Sequence, residues 1–155
     1  MYRFLILERN RIKAACMHIF CRRYCFILLT ILMFSNNLMA QRSPEAIVQE
    51  NLDAYNKRDI EAFMQSFSDS IVVTNYADKS VIAKGLVQVR AVYQSLFDAS
   101  PQLHSTILKR IVFDNKVIDH ESIVGRRGVT TPIELIAIYE VKDDKIVAMT
   151  FIRKQ

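Results

Sequence analysis

Along residues 43–153 the apolar positions follow two periods, helical spacing over most of the first half and near-continuous alternation over the second. Ser43-Pro44-Glu45 reads as a helix start, with a capping hydroxyl, a proline in the first turn and an acid near the positive end of the helix dipole. Ala46, Ile47, Leu52, Ala54 and Tyr55 then make one apolar face as far as about Asn56. Asp59 caps a second helix in which Ile60, Phe63, Met64 and Phe67 recur at helical spacing, and Ser68-Asp69 ends it. Ile71 to Thr74 predicts a short strand, and Asn75 to Ser80 a turn-rich connection. Gly85 precedes a third helix carrying Leu86, Val89, Tyr93, Leu96 and Phe97 on one side, with Pro101 marking its end.

From Gln102 onward the pattern is stranded. His104 to Phe113 and Lys116 to Gly125 flank Asp114-Asn115, a two-residue connection whose residues tolerate positive φ and suit a hairpin. Pro132 to Lys142 and Lys145 to Arg153 flank Asp143-Asp144 in the same way. Three helices followed by two long hairpins predict an α+β domain, its helices packed on one side of a curved antiparallel sheet. Phe63, Met64, Phe67 and Phe97, at helical spacing, belong to its core.

The first 40 residues differ in kind. They hold six basic residues and one acid, then a nine-residue apolar run from Phe26 to Phe34, then Ser35-Asn36-Asn37-Leu38-Met39-Ala40. Charged, apolar, then small or polar is the order of an export signal, here removed after Ala40, and a bilayer-spanning helix would need about 20 apolar residues. Met17 to Ala40 alone also has the length of a signal, so either Met1 or Met17 serves as a start. Residues 41–155 are then an exported domain, periplasmic or secreted, with membrane contact only through an uncleaved leader. That domain carries fifteen basic and fifteen acidic residues, which leaves no electrostatic footprint for nucleic acid. All three cysteines, Cys16, Cys21 and Cys25, lie in the leader, so the domain has no disulfide, thiol nucleophile or cysteine metal site.

Candidate chemistry gathers in the first hairpin. A two-residue turn at Asp114-Asn115 sets Arg110 opposite Asp119, and strict alternation puts His104, Thr106, Leu108 and Arg110 on one face with Asp119, Glu121 and Ile123. Read as a pocket, Arg110 binds an anionic or carbonyl group, Asp119 or Glu121 acts as base and His104 shuttles a proton. Read as structure, the same residues are a cross-strand ion pair with a solvated edge, worth about 0.2–1 kcal/mol. His120 faces the other way, opposite Lys109, and a one-residue slip would exchange the faces and bring it into the pocket. Tyr55 and Tyr76 are placed to offer hydroxyls to a ligand. The second hairpin pairs Glu134 with Arg153. The predicted faces separate the two histidines of the domain, so no metal site is expected, and no phosphate-cradling glycine loop or nucleophilic serine motif is present.

The stretches AYNKRDIEAFMQSFSDSIVV and IAIYEVKDDKIVAMTFIR, with the helix opened by Gly85 between them, resemble the nuclear-transport-factor-2-like superfamily, in particular its SnoaL-like and ketosteroid-isomerase-like branches, over residues 44–153. The resemblance implies a cone-shaped domain whose helices and curved sheet enclose a pocket for a small organic ligand, without a cofactor and often as a homodimer. It places Asn75 where the steroid isomerases carry their carboxylate base, Asn51 near their helix tyrosine and Ala137 near their strand acid. An amide does not take up a proton as a carboxylate does, and alanine donates no hydrogen bond. Asn75 is therefore read as a ligand contact rather than a base. The function expected is binding of a small organic molecule, with cofactor-free isomerisation, dehydration or hydrolysis by acid/base residues as one reading and a non-catalytic dimeric binding module as the other.

Overall fold

The computed structural model describes residues 41–154; the leader reading, residues 1–40, lies outside them. Helix α1 (Pro44–Lys57) begins as expected, the Ser43 hydroxyl accepting from the Ala46 amide at 3.2 Å, and buries Ile47, Val48, Asn51, Ala54 and Tyr55. It ends on Arg58, whose left-handed φ of 56° lets its amide reach the Ala54 and Tyr55 carbonyls. Helix α2 (Ile60–Gln65) is capped by Asp59, which accepts from the Ala62 amide at 3.0 Å. Helix α3 (Gly85–Asp98) turns Val89, Tyr93, Leu96 and Phe97 inward. Tyr55, Phe63, Phe67, Tyr93 and Phe97 from the helices and the first strand cluster in tilted and edge-to-face pairs, with centroid separations from 4.5 Å for the tilted Phe63–Tyr93 pair to 6.3 Å for Tyr55–Tyr93.

Six strands form one curved, unclosed sheet: β1 (Phe67–Asn75), β2 (Val81–Lys84), β3 (His104–Phe113), β4 (Lys116–Val124), β5 (Ile133–Lys142) and β6 (Lys145–Arg153), in the order β2-β1-β6-β5-β4-β3. This is the expected α+β architecture, with three helices on one face. Three details differ from the sequence reading. β1 starts earlier, at Phe67; Val81–Lys84 adds a short strand that hydrophobic pattern alone leaves invisible; and β1 runs parallel to β6, every other pair being antiparallel. Both aspartate turns form. Asp143 and Asp144 adopt φ of 50° and 58°, as a tight hairpin twisted with its strands requires, and Asp114 adopts 51°.

The connection from β4 to β5 is a single 3₁₀ turn, Arg126–Gly128, clamped against the segment that follows α3. Gly125 has φ of 70° and donates to the Val129 carbonyl at 3.1 Å, while the Arg127 amide donates to the fully buried Ser100 hydroxyl at 2.8 Å. A Cβ on Gly125 would sit 2.1 Å from the Gln102 carbonyl oxygen. Left-handed φ and backbone contact thus both demand glycine. Gly125→Ala is expected to lower stability by more than about 1 kcal/mol, read as a shifted urea midpoint; an unchanged midpoint would mean that the clamp yields without cost.

Candidate functional site

A cavity of about 100 Å³ lies between α1, α3 and the concave face of the sheet. An apolar cavity of about 150 Å³ admits benzene, so this is the scale of one small organic ring. Leu52, Phe63, Val73, Leu96, Met149 and Phe151 form its apolar wall. Asn51, Tyr55, Tyr93, Glu121 and Tyr139 supply polar groups, joined by Arg126, Arg127 and Arg153.

Which side chains reach this cavity is decided by two irregularities in the ladders. Between β3 and β4, Lys109 still faces His120 and Arg110 still faces Asp119, but Ile107 faces Glu121 because Leu108 is an extra, unpaired residue. Beyond the bulge the faces of β3 are exchanged. Ser105, not His104, lies on the side of Glu121, and the Ser105 hydroxyl donates to Glu121 Oε2 at 2.8 Å. His104 is exposed, opposite Val124. Between β5 and β6, Val147 is extra in the same sense: Val141 faces Ile146, yet Glu140 faces Ala148. The shift carries through to Arg153, which lies opposite Leu135 and lines the cavity instead of meeting Glu134. Glu134 accepts from Lys154 at 2.6 Å and lies 3.4 Å from His120 Nε2.

Glu121 is the acid in the cavity wall. Both of its oxygens are held by neutral donors, Oε2 by Ser105 and Oε1 by the Tyr139 hydroxyl at 3.1 Å. Burial raises its pKa; the Ser105 and Tyr139 bonds pull it back, the Asp119 charge raises it and the Arg110 charge lowers it. Burial, with the nearby Glu121 charge adding to it, drives Tyr139 well above the usual tyrosine range, so it stays a donor. Burial also pushes Tyr55 and Tyr93 upward. Among the described residues neither of these two hydroxyls has a hydrogen-bond partner, and no sealed side-chain polar atom lacks one. Both hydroxyls therefore open into the cavity, which their residues line. The Asn51 amide donates to the Phe63 carbonyl at 3.2 Å and borders the same space.

Of the residues singled out in the sequence, Glu121 and Tyr55 line the cavity. Arg110 and Asp119 meet as expected, but as a two-pronged buried pair with both bonds at 2.7 Å, outside the cavity wall. Arg110 also donates to Gln49 of α1 at 2.8 Å, so the pair ties the helix to β3 and β4. Removing one partner of such a pair costs about 3–5 kcal/mol. His104 and His120 sit on the outer face. Asn75 bonds Asp78 at 2.9 Å, and Tyr76, half exposed beneath the Lys79 ammonium, caps the end of β1; neither borders the cavity. The polar residues that sequence pattern missed are Ser105, Tyr93, Tyr139, Arg126, Arg127 and Arg153. The glycines around Arg126-Arg127 were their one visible signal.

The direction of the Glu121 shift fixes a pH dependence. Between its ordinary value and its raised value the folded chain keeps a proton that the unfolded chain has released. The stability this group contributes is present below that window and falls as pH rises through it. Glu121→Gln, which keeps an acceptor for Tyr139 and removes the charge, should therefore gain on the parent as pH rises above the ordinary glutamate range in urea titrations. Parallel curves would show that Glu121 ionises as easily folded as unfolded.

The comparisons with known proteins agree with this architecture. No curated protein matches the chain in sequence. Among solved structures, a cystatin-fold protein from Novosphingobium aromaticivorans is 24% identical, with a TM-score of 0.66, covering 72% of this chain and 99% of its own. A nuclear-transport-factor-2-like protein from Cytophaga hutchinsonii, 13% identical, has a TM-score of 0.62 over 76% of this chain and 95% of its own. A protein of ketosteroid-isomerase-like fold from Catenulispora acidiphila, in complex with trimethylamine, is 17% identical, with a TM-score of 0.60 over 73% of this chain and 88% of its own. The family model for the SnoaL-like domain matches residues 48–149, and the chain belongs to that family.

Proposed function

We propose that this chain is an exported protein that binds a small, largely apolar organic molecule in the cavity between its helices and sheet, and that Glu121 exchanges a proton with it. One observation carries the reading: a buried carboxyl, raised in pKa, faces an apolar cavity with only neutral donors, Ser105 and Tyr139, on its oxygens. A carboxyl so placed holds its proton near neutral pH more readily than an exposed one, and serves as general acid or base for isomerisation, dehydration or hydrolysis without a cofactor. The Catenulispora acidiphila protein of similar fold is in complex with a small organic molecule, trimethylamine, which supports the small-molecule part of this reading. The half-buried outer face bearing Ile118, Ile136, Ile138 and Ile152 offers a surface for pairing two copies.

A second reading, binding without catalysis, rests on the satisfaction of both Glu121 oxygens and on the placement of Asn75 outside the cavity wall. A thermal-shift screen of small cyclic ketones, lactones and carboxylates on the full chain, followed by two variants, separates the readings. Leu52→Trp, at the cavity wall, is expected to abolish binding of any hit; retained binding would place the ligand elsewhere and sink the proposal. Glu121→Gln should keep affinity and lose about 100-fold or more in turnover. Turnover undetectable in both parent and variant, with affinity intact, selects the binding module.

Export rests on the leader: charged, apolar, then small residues up to Ala40, ahead of a body without cysteine. Protein recovered from the periplasm or medium should begin at Gln41 on N-terminal sequencing. Recovery only from the cytoplasm with residue 1 or 17 intact would overturn it.

A further inference from the structure

We propose that the ligand of this cavity is an organic anion, a carboxylate with a compact apolar body, and that Arg126, Arg127 and Arg153 hold its charged group. The inference rests on the small-molecule reading above and names the ligand class.

Residues 41–154 contain seven arginines. Four are engaged: Arg42 with Glu50, Arg90 with Glu61 at 2.6 Å, Arg110 with Asp119, and Arg58 with the Asn56 and Leu103 carbonyls at 3.1 and 3.0 Å. The other three guanidinium groups meet no carboxylate or carbonyl among the described residues, and these three line the cavity. The domain as a whole is formally neutral, so three arginines at one opening without an ion-pair partner among the described residues are a local feature and not an overflow of basic charge.

Their placement is built. Arg126 and Arg127 ride on the 3₁₀ turn clamped by Gly125 and Ser100, where Arg127 holds a left-handed φ of 50°. Arg153 reaches the concave face only because Val147 shifts the β6 ladder, and its guanidinium lies 5.4 Å from the Phe151 ring centroid. The charges of Arg126 and Arg153 are both felt at the Tyr93 hydroxyl, and that of Arg126 at Tyr55. Those two hydroxyls belong to residues only 8% and 9% exposed and lack partners among the described residues. Guanidinium forks, which only donate, and neutral hydroxyls, which can donate, around one opening suit a carboxylate with its two acceptor oxygens. Behind them the wall is Phe63, Leu96, Met149 and Phe151, suited to the apolar body of the same molecule.

Calorimetric titration of the full chain with benzoate, phenylacetate and cyclohexanecarboxylate, each beside its own primary amide, and with inorganic phosphate, tests the inference. At least one acid is expected to bind about tenfold or more tightly than its amide, since a carboxylate accepts charge-assisted bonds from guanidinium that an amide does not. Arg126→Gln and Arg153→Gln should each erase most of that difference with unchanged melting midpoints. Lys109→Gln, the same loss of charge on the outer face, should leave it intact. Equal affinity of acids and amides overturns the anion inference while the small-molecule reading survives. Phosphate binding as tightly as the best acid also overturns it, because the apolar body would then contribute nothing. If no acid or amide binds at millimolar concentration, the small-molecule reading fails as well.

Discussion

The side-chain period of a β-strand is two, so one extra residue in a ladder exchanges the faces of everything beyond it. Leu108 and Val147 are two such residues, and the polar end of the cavity depends on both. Without the first, Glu121 would lose the Ser105 hydroxyl and meet the strand face bearing His104. Without the second, Arg153 would lie on the outer face beside Glu134, and the cavity would keep only the two arginines of the 3₁₀ turn. A regular sheet would still fold, since the core positions Val117, Leu135, Ala137 and Tyr139 lie on strands that carry no extra residue. Its cavity would lack the Ser105 bond to Glu121 and the Arg153 guanidinium.

Strand β4 buries two acids, Asp119 and Glu121, two residues apart on the same face, and resolves them in opposite ways. Asp119, 1% exposed, receives both prongs of Arg110, which makes it a fixed charge pair whose further bond to Gln49 fastens α1 over the sheet. Glu121 receives no cation of its own, only hydroxyls, so its charge is held less firmly and its proton is exchangeable. Of two neighbouring carboxyls, one is held by a guanidinium and the other by hydroxyls alone. The division also explains why the fixed pair stands outside the cavity wall: an acid neutralised by a permanent partner has nothing left to offer a ligand.

Much of the scaffold was legible in the sequence because it follows local rules. Ser43 and Asp59 announce helix starts, and Asp114-Asn115 and Asp143-Asp144 announce hairpins whose register holds for the residues nearest each turn. Arg110 opposite Asp119 follows from counting outward from such a turn. The count fails beyond Leu108 and beyond Val147, because an ordinary apolar residue marks each bulge and no glycine or proline flags it. The four residues of β2 are too few to show a period, and they follow a turn-rich segment. Arg126 and Arg127 are set by contact between Gly125 and Gln102, residues far apart in the chain, which no local pattern encodes.

The same division explains how one fold serves unrelated chemistries. The aromatic wall from α1, α2, β1 and α3 is redundant: five rings in mutual contact tolerate exchange of one apolar side chain for another. It specifies only that an apolar space exists. The polar end obeys the opposite logic. Moving one bulge by a residue, or replacing one clamped glycine, changes which hydroxyl, carboxyl or guanidinium faces that space while leaving the core volume nearly as it was. In this chain the irregular positions bring a buried acid, Glu121, and three arginines without a carboxylate partner among the described residues to one cavity.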